Sequence, residues 1–172
     1  MKIARFEKFN IEGICKAEFQ RVENVKRISA PDANWEVEVE LKNNRAWNVI
    51  EFTRTSEELS VVQQDDDSGT WYDVSVRLSN PRLSPDKAAT FAGMEGRKFV
   101  LILTDQNGFK LLVGSLQMPA YLNNRMTNPG RGVNARAVNF DAIHDREPFY
   151  VRSQVVNPGG SFSNGFSNAF DI

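Results

Sequence analysis

The stretch that most constrains the fold is residues 84–115, because it combines a capped helix with a tight hairpin. Ser84 suits the N-cap, where its hydroxyl accepts a hydrogen bond from a backbone N–H one turn further on. Pro85 suits the first helical position, which needs no N–H. Phe91 anchors the apolar face, and Gly96 can adopt the left-handed conformation that ends a helix. The pattern therefore predicts one short helix held to the core by Phe91.

A hairpin is predicted directly after this helix. Residues 99–103 (FVLIL) are apolar without alternation, which is typical of a strand covered on both faces. Asn107 and Gly108 supply the positive φ angles of a turn, and residues 109–113 form the returning strand. A calcium loop starting at Asp105 would need a Glu at its twelfth position, which is Leu116 here, so the turn is the preferred interpretation.

Composition excludes several classes of function. The 172 residues carry 21 basic and 22 acidic side chains, so the chain lacks the electrostatic footprint of non-specific nucleic-acid binding. A single cysteine, Cys15, excludes a disulfide framework and a cysteine-based zinc site. A buried, inert thiol within a strand is the expected state of this cysteine. No signal peptide or membrane-spanning run is visible. We expect one domain without cofactor, metal or membrane partner.

Alternating segments indicate a β-rich domain at residues 14–156. The clearest is residues 35–41 (WEVEVEL), which predicts Trp35 facing inward with Val37, Val39 and Leu41 while three glutamates face solvent. A row of glutamates repels itself unless basic groups cover it. The predicted fold is mainly β, an antiparallel sandwich or barrel-like domain with one short helix and extended terminal arms.

Two further segments carry concentrated charge. Residues 65–67 are three adjacent aspartates, which we interpret as an acidic hairpin loop in preference to a cation site, since neighbouring side chains diverge. Residues 116–132 are predicted to form a long irregular loop, made basic by Arg125 and Arg131, with Arg136 beyond it. This loop suits a phosphate or nucleic acid, or the acidic surface of a neighbouring subunit.

The two ends of the chain are interpreted as arms. Residues 1–13 alternate charge with Phe and suit an edge strand or an arm. Residues 157–172 contain no Lys or Arg, yet Phe162, Phe166 and Phe170 recur at every fourth position. Each ring contributes about 1.5–3 kcal/mol if it is fully buried. We predict that this C-terminal arm docks on a neighbouring subunit in preference to the chain's own body.

No catalytic motif is present in the sequence. The single histidine, His144, lies between Asp141 and Asp145 and is interpreted as a surface residue rather than a catalytic base. No nucleophile elbow, P-loop or dinucleotide fingerprint occurs. Carboxylates brought together from distant strands remain an alternative, as in a β-sandwich glycosidase. The expectation is a protein without enzymatic activity.

Residues 68–151 carry a family resemblance. The matching segments are residues 70–78 (TWYDVSVRL), 94–103 (MEGRKFVLIL), 104–108 (TDQNG), 111–114 (LLVG) and 129–134 (PGRGVN), with Phe140, His144 and 148–151 (PFYV). This half of the chain resembles small structural proteins of tailed phages and prophages of Bacteroidetes, including the crAss-like group. The resemblance implies a virion component of the neck or tail that forms rings of identical copies.

Three hypotheses follow from the sequence. The first is a non-enzymatic virion protein whose partners are copies of itself and other virion proteins, with DNA only as a passenger through a ring lumen. Its contacts would come from Phe162, Phe166, Phe170, Arg125 and Arg131. The second is a monomeric β-sandwich module that binds carbohydrate or a host receptor through Trp35, Trp47 or Trp71. The third is a hydrolase that uses scattered acids.

Overall fold

The computed structural model describes residues 13–53, 57–67, 69–81, 84–127 and 135–155. The described residues form eleven strands, one α-helix and a 3-10 turn at Val22–Asn24. The strands are β1 (Ile14–Arg21), β2 (Val25–Ile28), β3 (Glu36–Leu41), β4 (Asn48–Ile50), β5 (Glu58–Asp66), β6 (Gly69–Pro81), β7 (Lys98–Asp105), β8 (Lys110–Val113), β9 (Ala120–Thr127), β10 (Ala135–His144) and β11 (Tyr150–Val155). The helix, α1 (Pro85–Ala92), lies between β6 and β7. The predicted N-terminal arm, residues 1–13, falls outside the described residues except for Gly13, and the whole predicted C-terminal arm, residues 157–172, falls outside them.

All eleven strands belong to one open, mixed sheet. Along its main path the order is β2-β3-β11-β8-β7-β9-β10-β6-β5, and β1 joins β7 while carrying β4 on its other side. The pairs are antiparallel except β3 with β11, which run parallel. The prediction of a mainly β fold with one short helix is confirmed.

Strand β7 occupies the centre of this sheet. One of its edges pairs with β1 from Phe99 to Asp105. The other edge is shared, because β8 pairs with residues 101–104 and β9 pairs with Lys98 and Phe99. The sheet therefore branches at β7, with the β8 side leading to β2 and the β9 side leading to β5.

Successive residues of β7 enter two separate cores. Phe99, Leu101 and Leu103 belong to the first core, which also contains inward side chains of β1, β4, β6, β9, β10 and Phe91 of α1. Val100 and Ile102 belong to the second core, formed with β2, β3, β8 and β11. The expectation that residues 99–103 form a strand covered on both faces is confirmed.

The helix and hairpin form largely as predicted. The Ser84 hydroxyl accepts from the Lys87 backbone N–H at 3.2 Å, and Phe91 is buried. The turn after β7 is held by Asp105, whose Oδ1 accepts from the backbone N–H groups of Asn107 and Phe109. Gly108 has φ 88°, whereas Asn107 does not have a positive φ. The helix ends at Ala92 with Gly93 as its cap, earlier than Gly96 predicts.

Expectations for three other parts of the chain are also wrong. Half of the predicted irregular loop at residues 116–132 is strand β9, paired with β10 from Tyr121 to Thr127. Trp35 does not begin the alternating strand, because the Asp32 carboxylate accepts from Asn34 and Glu36 N–H groups and holds a turn. Trp35 has φ 64° in that turn and is 40% exposed. Cys15 lies in β1 as predicted, but its side chain is exposed.

Candidate functional site

A surface groove of about 660 Å³ crosses β6, β10 and the start of β9. Its floor comes from the register of these strands, which places Ser75 of β6 opposite Asp141 of β10, and Asp141 opposite Tyr121 of β9. Its wall is the β8–β9 connection, which contributes residues 117–119. The groove therefore joins segments that lie far apart in the chain.

Two carboxylates lie in this groove because of strand alternation. Val74 and Ala142 point into the first core, so their neighbours Asp73 and Asp141 face outward. The Ser75 hydroxyl donates to Asp141 Oδ1 at 2.9 Å. Asp73 has no hydrogen bond or ion pair with any part of the chain that the structure describes, and none of the described basic side chains lines the groove.

Apolar side chains surround these acids. Ile143 is 57% exposed, Tyr121 46% and Met118 38%, and all three line the groove together with Pro119. Apolar residues so exposed are suited to contact with a ligand or partner. The groove can accept a group that pairs positive charge or several hydroxyls with apolar atoms.

His144 fixes the start of the β8–β9 connection, which forms the groove wall, through a hydrogen bond with Gly114. Its Nε2 accepts the backbone N–H of Gly114 at 3.0 Å in a buried site, so the proton of the neutral ring is on Nδ1. Burial lowers the pKa of His144 below its ordinary value of 6.5, and the Asp145 carboxylate raises it by a smaller amount. The interpretation of His144 as a surface residue is wrong, since its side chain is buried at the end of β10.

Close packing explains why Gly114 occupies the other end of this hydrogen bond. Gly114 has φ 82°, and a Cβ atom there would lie 2.8 Å from both the Phe99 carbonyl oxygen and the Ala120 nitrogen. The Ser115 and Met118 backbones then close a turn, with Ser115 N–H donating to Met118 O at 2.8 Å. The β8–β9 connection therefore starts at Gly114, which packs tightly against the backbones of β7 and β9.

The three tryptophans lie in different settings. Trp35 packs on Phe149 with ring centroids 4.9 Å apart. Trp47 packs against the second core, and its indole N–H is buried without a partner among the described residues. Trp71 lies half-buried in β6, opposite Gln64 of β5. No ring contact joins two of them within the described ranges.

The acidic segment at residues 65–67 forms the end of the β5–β6 hairpin. Asp65 accepts hydrogen bonds from the Thr70 hydroxyl and from Gln63 Nε2. Within the described ranges, no group of three or more His, Cys, Asp or Glu side chains is arranged to hold a metal ion. No described helix is long and apolar enough to cross a membrane.

Of the five predicted contact residues, the structure describes the position of Arg125 alone. Arg125 lies in β9 opposite Ala137 of β10. Arg131, Phe162, Phe166 and Phe170 lie outside the described residues, so their contact role stays a prediction.

Sequence reasoning did not identify the groove. No sequence pattern marks Asp73 or Tyr121 as a functional residue, and Asp141 enters the interpretation only as a neighbour of His144. Alternation in residues 70–78 and 135–144 is the sequence pattern that places Asp73 and Asp141 on the outer face of the sheet. Their proximity depends on the pairing of β6 with β10, and no local pattern specifies that pairing.

Comparison of the chain with protein-family models, curated proteins and solved structures finds no match.

Proposed function

We propose that this chain is a non-enzymatic structural subunit of a tailed-phage virion, which assembles with copies of itself into part of the neck or tail. The virion assignment rests on the resemblance of residues 68–151. A free edge of the sheet carries the proposal of self-assembly.

Strand β5 is this free edge. It extends over nine residues, Glu58–Asp66, and pairs with β6 on one side only. No other strand among the described ranges pairs with its second side. An open edge exposes backbone N–H and C=O groups that pair readily with another chain.

The side chains of β5 support this assignment. Val61 faces the same side as Leu59, which packs against the first core, yet Val61 is 38% exposed. Val62, on the opposite face, is 46% exposed. The other terminal strands are shorter, four residues in β2 and three in β4. A second copy that pairs with β5 would cover both valines and satisfy the open backbone groups.

The C-terminal arm and the arginines of residues 116–132 complete the proposed assembly. Phe162, Phe166 and Phe170 would anchor the C-terminal arm on a neighbouring copy. Arg125 and Arg131 would contact an acidic surface of that copy. In this arrangement the subunit makes several contacts with its neighbours, as a closed ring requires.

The primary test is the solution mass of the purified chain by light scattering, with and without residues 157–172. We expect a defined oligomer that dissociates on truncation. A monomer in both cases would exclude self-assembly through the arm.

A second test addresses the β5 edge. Val61→Lys places a charge at the edge and should raise the concentration needed for assembly. Val49→Lys is the matched control, because Val49 is 53% exposed in the short strand β4. Equal effects of the two substitutions would argue against β5 as the contact. Thermal unfolding of each variant verifies that it is folded.

A specific observation favours one alternative, a monomeric module that binds carbohydrate or a receptor. The exposed Tyr121 ring beside Asp73 and Asp141 resembles the stacking surface and hydroxyl acceptors that sugars use. Titration of a glycan panel, with Tyr121→Ala as the control, tests it. Binding that is lost in this variant, by a wild-type chain that stays monomeric, would favour the module.

A further inference from the structure

The turn between β7 and β8 contains a pair of residues that can react with each other. Asn107 is followed by Gly108, and both residues are exposed. In an Asn–Gly pair the glycine backbone nitrogen can attack the side-chain amide carbon of the asparagine, because no Cβ atom hinders its approach. The sequence Asn–Gly also occurs at residues 164–165, but only the pair at residues 107–108 lies in the part of the chain that the structure describes.

The reaction converts an amide and one water molecule into a carboxyl group and ammonia. The Gly108 nitrogen loses its proton and bonds to Asn107 Cγ, the Cγ–Nδ2 bond breaks, and Nδ2 leaves as ammonia with that proton. Water then opens the cyclic imide at one of its two carbonyl carbons. Opening at Cγ gives aspartate, whereas opening at the main-chain carbonyl gives isoaspartate, whose main chain runs through Cγ. The only co-reactant is water.

In the folded chain Asp105 holds both reacting groups by hydrogen bonds. The Gly108 N–H donates to the Asp105 carbonyl oxygen at 3.1 Å. Asn107 Nδ2 donates to Asp105 Oδ2 at 3.3 Å, and the Asn107 backbone N–H donates to Asp105 Oδ1 at 2.9 Å. The Gly108 nitrogen must give up its hydrogen bond before it can attack, so the closed turn opposes the reaction.

We propose that Asn107 is a site of spontaneous deamidation and that the hydrogen bonds to Asp105 control its rate. The reaction proceeds when the turn opens locally, and the population of the open turn sets its speed. This inference is independent of how the chain assembles.

The product cannot restore the original turn. An aspartate at position 107 lacks the amide that donates to Asp105 Oδ2, and it brings a second carboxylate close to the first. Isoaspartate lengthens the main chain by one carbon between Thr104 and Lys110, which are paired at the end of the hairpin. Because β7 contributes side chains to both cores, deamidation changes the turn that ends the central strand.

Peptide mapping by mass spectrometry after incubation at mildly alkaline pH measures the reaction. We expect Asn107 to deamidate roughly tenfold or more slowly in the folded chain than in the guanidinium-unfolded chain. Asp105→Ala should remove most of this difference. Asp105→Asn should give an intermediate rate, because it keeps one oxygen acceptor and replaces the other with an amino group. Circular dichroism verifies that each variant is folded, and Asp105→Asn decides the test if Asp105→Ala unfolds.

Two parts of the proposal can fail separately. An unfolded chain that does not deamidate at Asn107 would overturn the site itself. Equal rates in the folded and unfolded wild-type chains would overturn control by the turn, as would folded Asp105 variants that react no faster than the folded wild type.

The effect of the product on the fold has its own test. Asn107→Asp supplies the aspartate product directly and should lower the urea unfolding midpoint more than Gln106→Glu does. Gln106→Glu is the matched control, because it adds the same charge in the same turn on a side chain outside the Asp105 hydrogen bonds. Equal shifts of the two midpoints would overturn the proposed effect of deamidation on the turn.

Discussion

The two faces of β7 pack against cores of different composition. The first core is built around three aromatic rings: Phe99 lies 5.8 Å from both Phe19 and Phe140, edge to face in each case. The buried side chains of the second core are all aliphatic, and six of the eight are Val or Ile. One strand therefore supports an aromatic core on one side and a β-branched core on the other.

The rim of the second core is also more polar. Glu18 alternates with Ala17 and Phe19, which face the first core, so its buried side chain lies on the opposite face. Its carboxylate accepts from Lys16 Nζ at 2.7 Å and from Gln154 Nε2 at 3.1 Å. Lys110 Nζ in turn donates to Gln154. Side-chain hydrogen bonds thus link β1, β8 and β11 where the first core uses hydrocarbon.

This difference indicates how stability is distributed. Removing one ring from an aromatic core lowers the free energy of unfolding strongly, because the rigid rings that remain cannot fill the cavity. A smaller aliphatic core, bordered by the long side chains of Lys16, Lys110 and Gln154, can relax more readily around a lost group. We expect the first core to dominate the free energy of unfolding, and the following predictions test that expectation.

The largest loss is expected from Phe99→Ala. The ring is fully buried and contacts two other rings, so removing it should lower the free energy of unfolding by about 3–5 kcal/mol. Urea unfolding followed by circular dichroism measures the loss. A change below about 1 kcal/mol would contradict the central role of the aromatic cluster.

A matched pair of neighbours compares the two cores directly. Leu101 and Ile102 are both fully buried in β7 but face opposite cores. Both Leu101→Ala and Ile102→Ala should fall within about 2–5 kcal/mol, with Leu101→Ala nearer the upper limit because the rings around it resist collapse. The same urea measurement decides, and a larger loss for Ile102→Ala would reverse the proposed ranking of the cores.

Gly114→Ala should cost about 2 kcal/mol or more, because a β-carbon at φ 82° meets two backbone atoms at 2.8 Å. Gly96→Ala is the control: its φ is 70°, but nothing lies within 4 Å of the added atom. The control isolates the backbone term, which is about 1–2 kcal/mol. Similar unfolding midpoints for the two variants would show that the close approach to β7 and β9 is unimportant.

A smaller effect is expected from pH through His144. Its pKa is lowered in the folded chain, so the unfolded chain takes up the proton first as pH falls. Stability from the neutral ring should be complete above about pH 6.5 and decline as pH drops toward the folded pKa. Urea midpoints between pH 5 and 8 measure this, and His144→Gln should remove that part of the slope. Identical pH profiles for the two proteins would contradict the assignment.

The smallest effect is expected from Arg152→Ala on the outer face of β3 and β11. Arg152 contacts Glu38 at 2.9 Å and Asp32 at 3.2 Å, but its side chain is more than half exposed. Exposed ion pairs are screened by water and salt. The unfolding midpoint should barely move, and any shift should vanish at high salt. A salt-resistant loss would mean that this pair supports the second core.

Local patterns explain which parts of the fold are predictable. Most of the structure of residues 84–115 is predictable because the Ser84 cap, the apolar strand and Gly108 each act within a few positions of the element that they specify. Trp35 is misplaced because the Asp32 turn overrides the alternation that follows it. Strand β9 is missed because polar residues such as Asn123 interrupt the alternation of apolar side chains, although Leu122 packs in the first core.

The candidate site is less predictable than the fold for a related reason. Alternation marks Asp73 and Asp141 as outward residues, but 68 positions separate them in the chain. Their proximity depends on the register of β6 against β10, which the packing of Val74, Val76 and Val138 selects. The row of glutamates in β3 also depends on strand pairing. Lys26 of β2 forms an ion pair with Glu40, and Arg152 of β11 forms one with Glu38, so neighbouring strands supply the basic groups that reduce the repulsion.

The pairing of β1 with β7 has a consequence for synthesis on the ribosome. Ile14 pairs with Asp105, so β1 waits for 91 further residues before its central partner exists. At about 5–20 residues per second this delay is roughly 5–18 s. During that time Ile14, Ala17 and Phe19 lack Phe99, Leu101 and Leu103, the β7 side chains that share their core. The nascent chain therefore carries an exposed apolar segment for seconds, and a chaperone that binds early would shield it until β7 emerges.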